Sequence, residues 1–400
     1  MKKLIALLLA ALMVFALCAC GTSKTEEPAA EQTTAEAPAA EAPEAPAAEG
    51  EASGEPSGEP SGEPSGEPVA DVEPLNIIFN CLFNETETGG QIATHFKEAV
   101  EQMSGGAVTV DIKYGGTFLG HGDQLSGMAS GSANMCLLSQ SDNADELPLL
   151  NTIPQYFGDS IANAVNCFND IIFENETTSA LIAAEAEANG IKYLATNAGG
   201  ANAFISEFEF STLNDLMSRT ESFGNHNVAM YQELGQRLGL SGLNVIDVFP
   251  WDLATDFQTG IIDATQMDAS ALVSMQLYSD APYWMYDNTY AAGNFITVNL
   301  AWWNGLTEAQ QTVVQQAADA TAQFSLGLLQ TSMDTDRATL ADAGATVIDI
   351  DDEGFSVWYD VIAQTAFRDG MARGEIAGTA DSIQAVIDEV CALTGLTYES

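Results

Sequence analysis

Cys20 carries the most readable chemistry in the chain. It closes the run Leu17-Cys18-Ala19-Cys20-Gly21, behind Met1-Lys2-Lys3 and an apolar stretch over residues 4–17. A positive start, an apolar run and small residues before a cut form the pattern of a secretory signal peptide. The tetrapeptide Leu-Cys-Ala-Cys resembles a bacterial lipobox, in which the last cysteine becomes the mature N-terminus and its thiol is diacylated. The apolar run falls short of the roughly 20 residues that a membrane-crossing helix needs, whereas two acyl chains anchor stably. The expectation is a signal peptide over residues 1–19. The rest of the chain is then held through a diacylglyceryl anchor on Cys20 to the extracytoplasmic face of a bacterial cell membrane.

Little else in the sequence could make or break a covalent bond. His95, His121 and His226 are far apart; His95 lies in an amphipathic stretch, where a surface or capping role is expected, and His121 in a turn after Gly120. Gly127-Met128-Ala129-Ser130-Gly131 lacks the Gly-x-Ser-x-Gly order of a nucleophile elbow. The acidic run from Asp349 to Glu353 lacks the glycine and terminal glutamate of a calcium loop and reads as a solvated turn. Cys81, Cys136, Cys167 and Cys391 match no zinc spacing. Each sits in apolar sequence and is expected as a buried free thiol, because cysteine packs as a small hydrophobe. No acid–base pair or nucleophile–base set emerges, so neither an enzyme, a metal centre nor a cofactor is expected.

The chain holds 57 acidic and 11 basic residues, a formal net charge of −46. Twelve of the acidic and three of the basic residues precede Val69, which leaves 45 and eight for the remainder. Phosphate contacts need Lys and Arg, so nucleic acid is excluded as a partner and anionic lipid disfavoured. Residues 22–69 are almost wholly Ala, Glu, Pro, Ser, Gly and Thr, ending in Ser-Gly-Glu-Pro repeated four times. A stretch with nothing to bury cannot offset its ordering entropy, so residues 20–70 are expected to form an extended spacer.

Residues 71–400 must supply the elements that position a site. The run Leu75 to Phe83 is apolar and rich in β-formers. Residues 90–103 put Ile92, Phe96, Ala99, Val100 and Met103 on one helical face. Alternation over residues 108–114 predicts a half-exposed strand, and residues 123–130 a helix. Strands are expected over 133–139, 191–196, 203–208 and 245–249, and helices over 161–189, 227–238 and 307–331. Strands separated by helices predict an α/β protein with mostly parallel, doubly wound sheets.

The order of several short segments then becomes specific. Phe96 to Gly106 matches F-x-x-x-V-x-x-x-S-G-G; Tyr114 to Gly120 is similar to P-x-G-Q-L-G with one extra residue; Ala129 to Met135 resembles G-x-x-D-M. Leu150 to Phe157 resembles L-P-x-x-F, and Gln258 to Ala264 corresponds to Q-T-G-V-V-D-G. In this order and spacing the chain resembles the DctP-type solute-binding proteins of the tripartite ATP-independent periplasmic (TRAP) transporters. The resemblance implies a two-lobe, type II periplasmic-binding-protein-like fold, its lobes joined by crossing strands and a long helix. The first lobe would span about 74–197 and 288–330, the second about 198–287 and 331–400. It also implies a monomer that closes on a small solute and delivers it to the small and large integral-membrane TRAP subunits.

Departures from the family pattern bear on the solute. Where the family carries the acid-binding Arg of D-L-K-G-L-K-I-R-V, this chain has Asp215 to Phe223 with Ser222 at the Arg position. Arg219 lies three residues earlier, an odd offset that on a strand points to the opposite face. A second family Arg aligns with Asn202, and Q-E-N-P becomes Thr265-Gln266-Met267-Asp268. The candidate ligand set is therefore Asn202, Ser222, Gln266 and Asp268, with Tyr156, Ser139 and Arg219. The solute expected is neutral, polyhydroxylated, zwitterionic or cationic. The alternatives are an ordinary organic-acid receptor using Arg219 and a surface lipoprotein with an adhesion or sensing role. Trp251, Tyr278, Tyr283, Trp284 and Tyr290 are further candidates to line a cleft.

Overall fold

The computed structural model describes residues 68–157 and 160–399; the signal peptide, Cys20 and all but the last three residues of the expected spacer lie outside them. Val69, expected at the end of that spacer, is already docked: its N–H donates to the Met103 carbonyl at 2.9 Å.

Two sheets organise the rest. β1 (Leu75–Asn80) buries Ile77 and Phe79 on one face and sits inside the first sheet, flanked in parallel by β2 (Val108–Lys113) and β3 (Met135–Ser139). The sheet continues with β11 (Asn294–Asn299) and β5 (Ile191–Asn197), giving the order β2-β1-β3-β11-β5. The second sheet runs β12-β10-β6-β9-β7-β8, formed by Thr346–Asp349, Tyr283–Ala291, Gly200–Ser206, Ala264–Asp268, Phe223–Gly224 and Val245–Ile246. β4 (Tyr156–Phe157) is added on β10.

Both sheets are mixed rather than mostly parallel, because β11 is antiparallel to β3 and β5, and β6 to β9 and β10. The reversal follows from the connections. β5 runs into β6 through residues 198–199, and β10 into β11 through residues 292–293, so two neighbouring segments carry the chain between the sheets. They are tied together where Gly199 N–H donates to the Ala291 carbonyl at 2.7 Å. Gly199 has no room for a side chain, since a Cβ there would lie 2.6 Å from Asn294 Nδ2.

A third link is the helix Glu308–Asp342, 35 residues long and begun by a capping box between Thr307 and Gln310. It runs eleven residues past its expected end. Its first half puts Val313, Val314 and Ala317 into the core under the first sheet; its second half puts Leu329, Met333 and Leu340 into the core under the second. His95, expected at the surface, is buried against this helix. Its ring stacks on Phe324 at 4.1 Å and Nδ1 lies 3.0 Å from Thr321 Oγ1, because helix Thr88–Met103 packs its His95 face on the long helix. Cys81, Cys136 and Cys167 are buried free thiols and Cys391 is half-buried; burial pushes the Cys81 and Cys167 thiols up to about 12.

Candidate functional site

Antiparallel pairing of β6 with β9 sets Asn202 directly opposite Asp268 and Phe204 opposite Gln266. Opposed residues share a face, and alternation puts Gly200 on it too. Gly200 is needed there: a Cβ would sit 2.2 Å from Asp268 Oδ2. The Asn202 side chain hydrogen-bonds Tyr156, but its Oδ1 is buried with no partner. Tyr156 reaches it because β4 pairs with Ala291 of β10, which in turn pairs with Gly200.

Behind this pair lies a closed polar network. Gln266 accepts from Tyr231 Oη at 2.7 Å and donates to Asp287 Oδ2 at 2.7 Å. Asp287 is fully buried and also accepts from Trp358 Nε1 at 3.0 Å, Thr289 N at 2.9 Å and Thr289 Oγ1 at 2.8 Å. The register of β10 against β6 breaks between Tyr286 and Tyr290, with Asn288 at φ 53°. Such a bulge re-aims side chains, and here it accompanies the turn of Asp287 into the interior.

Electrostatically the site is acidic. Asp268 caps helix Ala269–Ser274, accepting from Ala271 N at 2.9 Å, yet burial and then nearby Asp336 raise its carboxyl to about 6. Burial also raises Asp287 and Asp336, and pushes the Tyr156 phenol up to about 12 with help from Asp268 and Asp287. Among the described residues the arginines have partners elsewhere. Arg219 pairs with Asp215, Arg237 with Asp360 and Glu399, Arg368 with Glu233, and Arg373 with Asp145. Arg337 follows Asp336 in the long helix, but it pairs with Asp349 and lies 4.0 Å over the Tyr286 ring. Tyr286 opposes Ala203 and so belongs to the other face of the sheet.

The structure thus brings Tyr156, Asn202, Gln266 and Asp268 together. Ser139 belongs to the other sheet: it ends β3 opposite Asn294, just past the crossover at residues 292–293, with its hydroxyl 3.4 Å from Ser141 Oγ. Ser222 and Arg219 are not part of this group. Ser222 N donates to Asp263, so it sits at the start of β7 and β9, five residues and on the order of 16 Å from Asp268. Arg219 is on no strand; it ends helix Leu213–Arg219 and donates to the Glu209 carbonyl. Both line a separate surface groove with Glu207 and Glu221. Sequence reasoning missed Tyr231, Asp287 and Trp358. A lone Asp in the apolar run Tyr283–Ala291 was the available signal, since a buried carboxylate demands partners.

Comparison with known proteins agrees with this architecture. The sequence profile described as bacterial extracellular solute-binding protein, family 7 (DctP), matches residues 79–367. A solute-binding protein of Roseobacter denitrificans is 22% identical over 312 residues, covering 77% of this chain and 88% of that one. A crystal structure of a TRAP periplasmic solute-binding protein from Roseobacter denitrificans with bound β-D-glucuronate superposes with a TM-score of 0.58. It is 19% identical, with 78% of this chain and 99% of that chain covered. One from Desulfovibrio salexigens with bound orotic acid gives 0.61 at 17% identity, covering 80% and 99%. The match across most of the folded residues, on two mixed sheets joined by crossing strands, means that this chain belongs to the DctP family of bacterial extracellular solute-binding proteins.

Proposed function

We propose that this chain is an extracytoplasmic receptor that holds a small solute at the cluster around Asn202 and Asp268 and hands it to TRAP-type membrane subunits. The family match carries the receptor role. Among the described residues no helix is long and apolar enough to cross a membrane, and the anchor rests on the lipobox at Cys20. Cys20→Ala is expected to leave the protein soluble or unprocessed; its partition with membranes after signal removal would rule out the lipid anchor.

The solute differs in class from the acids bound by the two compared structures. A carboxylate placed beside Asp268 and Asp287 would add a third buried negative charge with no cation to pair it, which costs several kcal/mol on transfer from water. A neutral, polyhydroxylated, zwitterionic or cationic solute fits better. Calorimetric titration with D-glucuronate and succinate is expected to show no binding in the millimolar range, and Arg219→Ala to change nothing. Micromolar binding of either acid that disappears in Arg219→Ala would restore the organic-acid receptor.

A further inference from the structure

The donors and acceptors of the cluster narrow the class of solute, an argument that rests on the cluster being the binding site. Asn202 is 2% exposed and its Oδ1 has no hydrogen-bond partner. Directly opposite stands Asp268, an acceptor at every lone pair when ionised, with Oδ1 taken by the Ala271 N–H. Nearby Asp336 accepts a hydrogen bond from the Ser270 hydroxyl. The Asn202 side chain already bonds Tyr156, and the Asn202 oxygen and the Asp268 carboxylate are acceptors, so a solute that brings donors complements them. A solute carboxylate brings only further acceptors and a hydroxyl brings one donor, whereas a protonated amine brings up to three donors and the complementary charge.

A second observation comes from the neighbouring strands. His226 stacks on Phe249 at 6.3 Å and 8° between planes, and Phe249 on Trp251 at 4.8 Å and 3°. Phe249 is 46% and Trp251 73% exposed, so the ladder ends in an open aromatic face. Its position is fixed by the sheet. His226 follows Asn225, whose Nδ2 donates to the Gln266 carbonyl at 2.9 Å, and Phe249 follows β8. Because β9, β7 and β8 are adjacent and parallel, the ladder stands at the same carboxyl end as Asp268, within two strand spacings, about 10 Å. Exposed parallel rings attract flat or apolar ligand faces and, through their quadrupoles, cations.

We propose that the solute is an organic ammonium compound with a flat apolar face. Its ammonium donates to Asp268 and to Asn202 Oδ1, and its flat face lies against the His226–Phe249–Trp251 ladder.

Three probes share one ring and differ in charge: 2-phenylethylamine, 2-phenylethanol and phenylacetate, each titrated into the protein at neutral pH and followed by calorimetry and tryptophan emission. The amine is expected to bind at least about tenfold more tightly than the alcohol, and phenylacetate not at all. Asp268→Asn is expected to weaken the amine at least about tenfold without loss of fold, since Asn caps a helix as well as Asp does. Trp251→Ala, at an exposed position, is expected to weaken it about fivefold and to remove the emission change. Phenylacetate binding as tightly as the amine, no amine binding at millimolar concentration, or an unchanged affinity in either variant overturns the proposal. Native mass spectrometry of protein purified from its host separates this from the receptor reading. A recovered amine supports the proposal. A recovered acid or neutral solute overturns it and leaves the receptor standing; no recovered solute together with no probe binding overturns both.

Discussion

Asp287→Ala is expected to destabilise the protein by about 4 kcal/mol and to lower its unfolding temperature by roughly 8 °C. The carboxylate accepts four hydrogen bonds, from Gln266 Nε2, Trp358 Nε1 and the N–H and hydroxyl of Thr289, and it is wholly buried. Alanine leaves those donors without an acceptor, and each buried orphan costs roughly 1–3 kcal/mol. Relaxation and water entry recover part of that sum. Asp287→Asn should fall between alanine and the native protein, at about 2 kcal/mol. The Gln266 amide can flip to accept from the new Nδ2 while Tyr231 accepts in turn, but Trp358 then competes with an amide donor. Calorimetric scans on the three proteins test the order, and near-ultraviolet dichroism reports the packing of Trp358. A loss under about 1 kcal/mol in the alanine variant would mean that the network does not act as a unit.

How much of this was legible in the sequence depends on whether a signal was local. β1, helix Thr88–Met103 and β2 announce themselves through period, breaker glycines and alternation. β4, β7 and β8 are two residues long, and no local pattern can mark a strand that exists only because a neighbour is there to pair with it. The crossing strands β10 and β11 are largely apolar runs whose antiparallel partners are remote in sequence, so their antiparallel sense, and with it the mixed sheets, follows from tertiary closure. The same division holds in the site. Asn202, Gln266 and Asp268 share one face because β6 and β9 pair along their whole length, an antiparallel register that strand alternation in the sequence can suggest. Ser222 lies apart from them because the position of its segment is set by Asp263, through bonds from the Glu221 and Ser222 N–H groups rather than by side-chain pattern. Tyr231 and Trp358 arrive from two helices that pack on the sheet, a juxtaposition that no spacing rule contains.

The unfolding temperature is expected to rise on acidification from about pH 8 to about pH 5, opposite to a protein held by buried ion pairs. Burial raises Glu185 from 4.5 to about 7, despite hydrogen bonds from the Leu149 and Leu150 N–H groups. It raises Asp268 from 3.8 to about 6, and shifts Asp263, Asp287 and Asp336 in the same direction. A carboxyl whose folded value is raised holds more protons folded than unfolded between its ordinary and its folded pKa. Stability therefore falls as pH climbs through that window, from about 4 to about 7 for the two groups with the largest values, and the full penalty persists above it. Net charge acts in the same sense, since protonation relieves self-repulsion in a chain of formal charge −46. The opposing contribution is small, because the arginine–carboxylate pairs are at least partly exposed, and pairs of that kind are worth roughly 0–1 kcal/mol. Asp268→Asn removes one titrating group while keeping the helix cap, so its unfolding temperature should depend less steeply on pH between about 4 and 6. A native profile that climbs steadily from about pH 5 to about pH 8 would show that these carboxylates are ionised at little cost in the folded protein, and that the acidic interior is better solvated than its burial implies.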